Sequence, residues 1–400
     1  MHSRHLHQES PWLLALLAAL VALGPLSVDM YLPAMSGMRV ALDTDIGHMH
    51  LTLSAYLTGY ALFHLLCGPL ADRFGRKPIL TGGTALFVLA CLGCSQSSSV
   101  EELTTYRFVQ GVGACVGPTL ARTITRDVFG PTRAARALSL IAMLMALAPA
   151  VAPTLGGVLL LVLPWPSIFI FLAIYGAAMI VLLQRYLAES LPAPQSLHPL
   201  NMARNYAQLL VDPFFLSVTA ASGLVYAGLL AYLASSGFIY MDMLGVPVEY
   251  FGLLFLTTVI GYMAGSALSA RLSRSRASEQ LLLLGAVLAA VASTTVWLNG
   301  RLFPDSVAAL VLPMVLYSIG MGLVLPHAMA IALRPFPHIA GTASALMGFI
   351  QMTLSAAATA LVGRWLQTSP EPVLFAMFVI SLLALALSVH VQRRHRATKP

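Results

Sequence analysis

Charge is what this chain has least of. Asp, Glu, Lys and Arg make up 9% of its 400 residues, against 58% hydrophobic, and the mean hydropathy is +0.83. Soluble domains carry roughly 25% charged residues, so a water-soluble enzyme is excluded and an integral membrane protein is expected. Long polar stretches are missing too. The widest gap between apolar runs, Ala188 to Val211, has no room for a soluble domain. The net charge of +7 would suit nucleic acid in a soluble protein, but here it reflects membrane orientation, and no nucleic-acid partner is expected.

Cysteine is scarce as well: Cys67, Cys91, Cys94 and Cys115 all lie in apolar runs. Cys91 and Cys94 have the spacing of a redox CxxC, but in an apolar helix they read as small packing residues. His64 and Cys67 share a helical face without a third ligand near them in sequence, so no metal site is expected. No G-x-x-x-x-G-K-[ST] loop is present, which argues against direct ATP drive, and no cofactor is expected. An intramembrane hydrolase would need a nucleophile beside a base, and Ser54 and His64 are too far apart along one helix to supply it locally. The N-terminal "MHSRHLHQESPW" leads into an apolar run of full spanning length, so the first span is expected to be retained rather than cleaved.

A spanning helix needs roughly 20 apolar residues. The runs at 12–33, 49–70, 79–97, 103–122, 136–162, 166–187, 213–237, 250–270, 280–299, 306–333, 340–363 and 372–391 predict twelve spans in an all-α membrane protein. Six fall on each side of the central gap. The expected organisation is a six-helix bundle over 1–187, a linker over 188–211 and a second bundle over 212–400. All of the 22 basic residues except Arg39, Arg107, Arg301 and Arg364 fall on the face that holds both termini, which places termini and linker in the cytoplasm. "ADRFGR" (Ala71–Arg76) lies loosely on "SARLSR" (Ser269–Arg274), and "GVG" and "GMG" recur in the fourth span of each half. These echoes favour a duplicated transporter with its site near mid-membrane.

One acid, Asp29, lies well inside a predicted span, in "SVDMYLPAM". Arg107 is the basic residue most committed to a span. Asp29 lies about 26 Å from the cytoplasmic start of span 1 and Arg107 about 22 Å from the cytoplasmic end of span 4, at 1.5 Å per residue. The two are expected to approach each other directly or through Gln110. A proton-coupling site follows, because intramembrane ionisable groups are functional by default. The alternatives are a fixed Asp29–Arg107 staple and an Asp29 that caps a helix end at the interface. On the cytoplasmic side, Gly68, Asp72, Arg73, Gly75, Arg76, Arg126 and Asp127 are expected to form an ion-pair latch. Gly68 would allow close helix approach there, and Gly75 a tight turn. Pro149, Pro153, Gly156 and Gly157 predict a bent, closely packed fifth span. Met30, Tyr31, Tyr56, Tyr60, His64, Tyr226, Tyr232, Phe238 and Gln351 are the candidate substrate contacts. Tyr56, Tyr60 and His64 fall on one helical face.

Several of these segments together resemble a known family. Gly68 to Ile79 resembles motif A of the major facilitator superfamily. "RFVQGVGA" (Arg107–Ala114) resembles its motif B, and "APTLGG" (Ala152–Gly157) resembles the end of its antiporter motif C, with Ala152 where Gly is usual. "LGPLSVDMYLPAM", "RTITRDVF" and "GTASALMGFIQ" are similar to segments of the bicyclomycin-resistance (Bcr/CflA) drug:proton antiporters. The resemblance implies the major facilitator fold, a bacterial inner-membrane location and a monomer in the bilayer. It also implies efflux of small amphiphilic drugs against protons, with coupling through Asp29 tuned by Arg107. The latch charges would stabilise the outward-facing state. Some drug antiporters carry a second span 1 acid where this chain has Val21, so neutral or zwitterionic substrates are expected rather than dications. The alternative is export of a metabolite such as a nucleoside, sugar or amino acid. A non-transporting receptor or an intramembrane enzyme is the more distant reading.

Overall fold

The computed structural model describes residues 11–191, 199–366 and 369–397. Among these residues the regular structure is entirely helical. Helices α1 (Pro11–Asp29), α2 (Met35–Ala41), α3 (Ile46–Phe74), α4 (Arg76–Gln96), α5 (Val100–Ala114), α6 (Val116–Val162) and α7 (Pro166–Tyr186) come first. Then follow α8 (Pro199–Leu210), α9 (Pro213–Gly237), α10 (Val248–Leu272), α11 (Ser278–Leu302), α12 (Val307–Leu333), α13 (Ala340–Trp365) and α14 (Glu371–Ala397). Ten helices among the described residues are long and apolar enough to cross a membrane.

Local chemistry sets many of the boundaries. The Ser99, Asp212 and Ser306 side chains accept hydrogen bonds from the backbone N–H of Glu102, Phe215 and Ala309, capping α5, α9 and α12. The Asp45 carboxylate does the same for α3, accepting from the His48 N–H at 2.7 Å. Gly75 separates α3 from α4 with φ +101°, a conformation that an L side chain resists. α1 ends at Asp29, and the chain passes through a single 3-10 turn, Leu32–Ala34, before α2.

Two predicted features change. The loop expected between spans 4 and 5 is absent: its backbone is helical, and α6 runs unbroken for 47 residues. At 1.5 Å per residue that is about 70 Å, more than twice a hydrocarbon core of about 30 Å. The helix passes through Gly130 and Pro131, both helix breakers, and continues into a run of good helix formers, "RAARALSLIAMLMALA". The expected linker also contains the amphipathic α8.

The described residues cluster into two compact units. One holds the chain up to Thr44 and from Ala55 to Leu191; the other holds Asp45–Ser54 and the chain from Pro199 onward. In the first, α1 packs on α6, and α4 packs on α5 and α7. In the second, α9 packs on α13, and α11 packs on α12 and α14. Counting long helices from the start of each unit, these three pairings recur. That repeat is far plainer than the sequence echoes. α1 and α9, apolar all round, are the interior helices of their units, with Leu17, Leu20, Leu23, Val218 and Val225 fully or almost fully buried. Outward-facing Leu62, Leu66, Leu89, Val158, Ile174, Leu253 and Leu312 form apolar surface suited to lipid.

Candidate functional site: a buried acid and a buried guanidinium

Asp29 is 6% exposed and is the last residue of α1, where the helix gives way to the Pro33 turn. It therefore marks a helix end rather than lying well inside one, as the sequence had suggested. Proline explains the position: Pro33 has no N–H to donate to residue 29 and disfavours helix in the residue before it. The carboxylate sits at a broken stretch of backbone inside the protein, an arrangement that membrane proteins tolerate only in buried or cavity-lining places.

Arg107, on α5, is fully buried. Its Nη1 donates to the Ser27 carbonyl at 3.2 Å and to Gln110 Oε1 at 2.5 Å. Its guanidinium carbon lies 4.2 Å from the Tyr31 ring centroid and 4.5 Å from that of Tyr56. Nε and Nη2 are buried without a hydrogen-bond partner. Among the described residues no ion pair joins Arg107 to Asp29, which corrects the expected direct approach. Two π faces and a carbonyl take the place of a counter-ion. Each such face is worth about 0.5–2 kcal/mol to a desolvated cation. Gln110 orients this group, since its Nε2 donates to Cys91 Sγ at 3.0 Å while its carbonyl receives Arg107.

Around this centre the first unit gathers further candidates. Met30 and Tyr31, both buried, follow Asp29, and Tyr31 meets Phe169 at 6.0 Å between ring centroids. Tyr56 reaches the Gly24 carbonyl at 3.4 Å. Tyr56, Tyr60 and His64 form a ladder of rings along α3, at 6.4 and 5.9 Å. Gly156 belongs to the same place: a Cβ there would lie 2.6 Å from the Met30 carbonyl oxygen. Pro149 and Pro153 lie on the same stretch of α6, and Gly157 is buried beside Gly156. The proline and glycine segment thus backs directly onto the turn that carries Asp29.

The charged cluster between α3 and α4 is more extensive than the sequence suggested. Arg76, 8% exposed, is ion-paired with Asp72 and also with Asp127, the latter at 3.2 Å. Glu189, not anticipated, accepts from the backbone N–H of Arg76 at 3.0 Å and of Lys77 at 3.1 Å, capping α4. Lys77 Nζ donates to the Gln184 and Leu187 carbonyls at the end of α7. The available signal was an acid placed just after span 6. Arg73 and Arg126 are exposed. Gly68 does not mediate close approach, because a Cβ there would meet nothing within 4 Å. Gly75 stands at the turn between α3 and α4 with φ +101°, and a Cβ there would also press on Glu189 at 2.7 Å.

In the second unit Tyr232 and Tyr240 share a hydrogen bond between their hydroxyls, and both line a narrow cleft with Phe251, Phe255, Val311 and Met314. Phe238 stacks on His50 at 5.8 Å. Tyr226 and Gln351 are half-buried. A second set of polar contacts was missed. Glu279, 2% exposed, pairs with Arg334 at 2.8 Å, and Ser269 meets His327 Nε2 at 2.9 Å. The "SARLSR" echo lacks the acid of "ADRFGR", but Glu279 supplies one from the start of α11.

The chain matches the Major Facilitator Superfamily over residues 17–360. It is 34% identical over 375 residues to the Uncharacterized MFS-type transporter YdgK of Bacillus subtilis, covering 92% of each chain. It is 29% identical to the Bicyclomycin resistance protein homolog of Haemophilus influenzae, covering 92% of this chain and 94% of that one. Identity to Multidrug resistance protein D of Escherichia coli is also 29%, covering 93% of both. Its backbone superposes on a peptide transporter with a TM-score of 0.78 at 15% identity, covering 96% of this chain and 94% of the other. A D-xylose-proton symporter gives 0.72 at 13% identity, covering 96% and 97%. Apolar helices, repeated helix neighbours and the buried Asp29 and Arg107 occur together in a chain matched almost end to end by transporters, and the chain belongs to the Major Facilitator Superfamily, as a transporter rather than an enzyme.

Proposed function

We propose that this protein is a proton-coupled exporter of small amphiphilic drugs in the bacterial inner membrane. It has twelve spans and cytoplasmic termini. α5 with the start of α6 forms the fourth span, and Ala148–Val162 belongs to the fifth. The names of its bicyclomycin- and multidrug-resistance relatives support drug export. The observation that carries the coupling is Asp29: a carboxylate 6% exposed at a broken helix end, without an ion pair among the described residues. A carboxylate in that place can take up and give up a proton as access to water changes.

In the cycle, Asp29 gives its proton to the cytoplasm, and substrate is captured against the tyrosine-rich wall. Access then switches, substrate leaves, and Asp29 is reprotonated from outside. Arg107, through its hydrogen bond to the Ser27 carbonyl, steadies the end of the helix that carries Asp29. The Arg76–Asp72–Asp127 cluster, with Glu189, steadies one conformation at the cytoplasmic face. One proton moved through 100 mV supplies about 2.3 kcal/mol, enough for a roughly fifty-fold gradient of a neutral solute at 1.4 kcal/mol per decade. Proteoliposomes under an imposed pH gradient test this with bicyclomycin as probe. Uphill flux that collapses with the gradient is expected, and Asp29→Asn should abolish it in a folded protein. Uphill flux surviving in Asp29→Asn overturns the role of Asp29; absence of gradient-driven flux for bicyclomycin and a panel of amphiphiles overturns drug export.

A further inference from the structure

A cluster of nucleophilic side chains lies apart from Asp29. His64 and Cys67 project from one face of α3 at i, i+3 spacing. Cys115 occupies the joint between α5 and α6, and Thr119 lies one turn later. His64 Nδ1 is 3.5 Å from Cys115 Sγ and 3.3 Å from Thr119 Oγ1. The Thr119 hydroxyl donates to the Cys115 carbonyl at 2.8 Å, so towards His64 its oxygen can only accept. The Cys67 side chain lies beside the Cys115 sulfur. Cys115 is therefore surrounded by partners that suit a thiolate: an imidazole to take its proton, an oxygen to hold that N–H, and a second thiol. Both cysteines are buried, and His64, which borders Cys115, is half-buried. Among the described residues no three His, Cys, Asp or Glu side chains are placed to hold a metal ion, so the chemistry of this cluster is that of thiols.

We propose that Cys115 and Cys67 form a peroxide-oxidisable thiol pair, with His64 as base, whose disulfide staples α3 to the α5–α6 joint and slows transport. The Cys115 thiol gives its proton to His64. The thiolate sulfur attacks one oxygen of hydrogen peroxide, and the O–O bond breaks. The departing hydroxide takes the proton from His64 and leaves as water, so Cys115 becomes a sulfenic acid. The Cys67 sulfur then attacks the Cys115 sulfur and the S–O bond breaks. The hydroxide leaves with the Cys67 proton as a second water. Two thiols are oxidised by loss of two hydrogens, and one peroxide is reduced to two waters. Reversible disulfides of this kind are how sensor thiols respond to oxidants in reducing compartments.

The test uses the full-length protein in lipid nanodiscs, treated with hydrogen peroxide, with the remaining thiols capped and the peptides mapped by mass. Cys67 and Cys115 should leave the free-thiol pool together, joined to each other, about tenfold or more faster than Cys91 and Cys94; loss of a positioned base in His64→Gln should slow this by a similar factor. Cys67→Ser should stop at a Cys115 sulfenic acid that dimedone traps. Equal reactivity of all four thiols, or a disulfide joining other partners, overturns the site. In proteoliposomes, peroxide should slow wild-type flux and dithiothreitol restore it, while Cys67→Ser flux stays unchanged. An equal peroxide effect on Cys67→Ser overturns the staple's control of transport. The mapping does not depend on which solute is carried, so it stands or falls separately from the proposed export.

Discussion

The relation between Asp29 and Arg107 can be measured by a double-mutant cycle of Asp29→Asn and Arg107→Met. Met fills much of the arginine's volume without its charge. Arg107→Met leaves the Ser27 carbonyl and Gln110 Oε1 without their donor, which costs about 1–3 kcal/mol for each acceptor that finds no substitute. It also gives up two ring contacts. Against this, a buried guanidinium costs several kcal/mol in desolvation, and apolar replacement removes that cost. A net loss of about 1–3 kcal/mol follows for the single variant. The coupling between the two substitutions is the sharper quantity. Sites that share no direct interaction add to within about 0.5 kcal/mol, whereas breaking a buried ion pair costs about 3–5 kcal/mol. Reversible unfolding of the four proteins in mixed micelles, followed by far-ultraviolet circular dichroism, gives the cycle. A coupling near zero is expected. A coupling of about 3 kcal/mol or more would mean that the two charges pair directly, and the account of Arg107 held by rings and carbonyls would fail.

Gly156→Ala drives a methyl against the Met30 carbonyl, from which its Cβ would be only 2.6 Å away. Overpacking of this kind costs about 1–3 kcal/mol, so flux and melting temperature should fall together. Gly68→Ala meets nothing within 4 Å, and the gain in helix propensity should raise stability by up to about 1 kcal/mol; a fall would restore the close approach first expected there. Arg76→Gln removes the cation shared by Asp72 and Asp127, whose side chains are 38% and 24% exposed, so solvent screening limits the loss to about 1–2 kcal/mol. An unchanged melting temperature would show that the cluster holds nothing. Asp45→Ala removes the cap of α3 and should cost about 1 kcal/mol at pH 7. The His48 backbone N–H holds the Asp45 carboxyl below its usual range, with the His48 side chain adding to the effect. That contribution is complete above the unfolded carboxylate's value and is lost as pH falls through the lower folded one. Wild type and Asp45→Ala should therefore converge in melting temperature only under strongly acid conditions, and a gap that persists there refutes the cap.

The helical class and most spans were legible because lipid leaves a chain few options. Each apolar run must satisfy its own backbone, so length and hydropathy are enough to define it. The join between spans 4 and 5 was not legible for the same physical reason. Charges at 122–136 mark where the chain leaves the lipid, but they say nothing about whether the backbone stops being helical there. Gly130 and Pro131 in that stretch even favour a break, yet α6 continues through them into the Arg, Ala and Leu that favour helix. The duplication was faint in letters and plain in packing. Helix neighbours depend on which faces are apolar or small, and many different residues meet that requirement.

The site divides along a similar line. Sequence could single out Asp29 and Arg107, because an ionised group in an apolar run is costly and therefore conspicuous. It could not settle what offsets that cost. Depth along two helices brought the residues level and suggested a pair, but rotation about each helix axis decides what a side chain meets. Arg107 meets Tyr31, Tyr56 and the Ser27 carbonyl. These are neutral partners, invisible to any census of opposite charges. Gly156 was visible as a residue that favours close packing, yet its neighbour, the Met30 carbonyl, lies more than a hundred residues away. Glu189 and Glu279 were overlooked because they stand outside the span map, although each helps to start a helix or pairs across one. If the neutral seat of Arg107 matters to transport, Tyr31→Leu and Tyr56→Leu should each disturb coupling although neither removes a charge. Each deletes one face worth about 0.5–2 kcal/mol, and only the loss of both leaves the guanidinium without an aromatic surface.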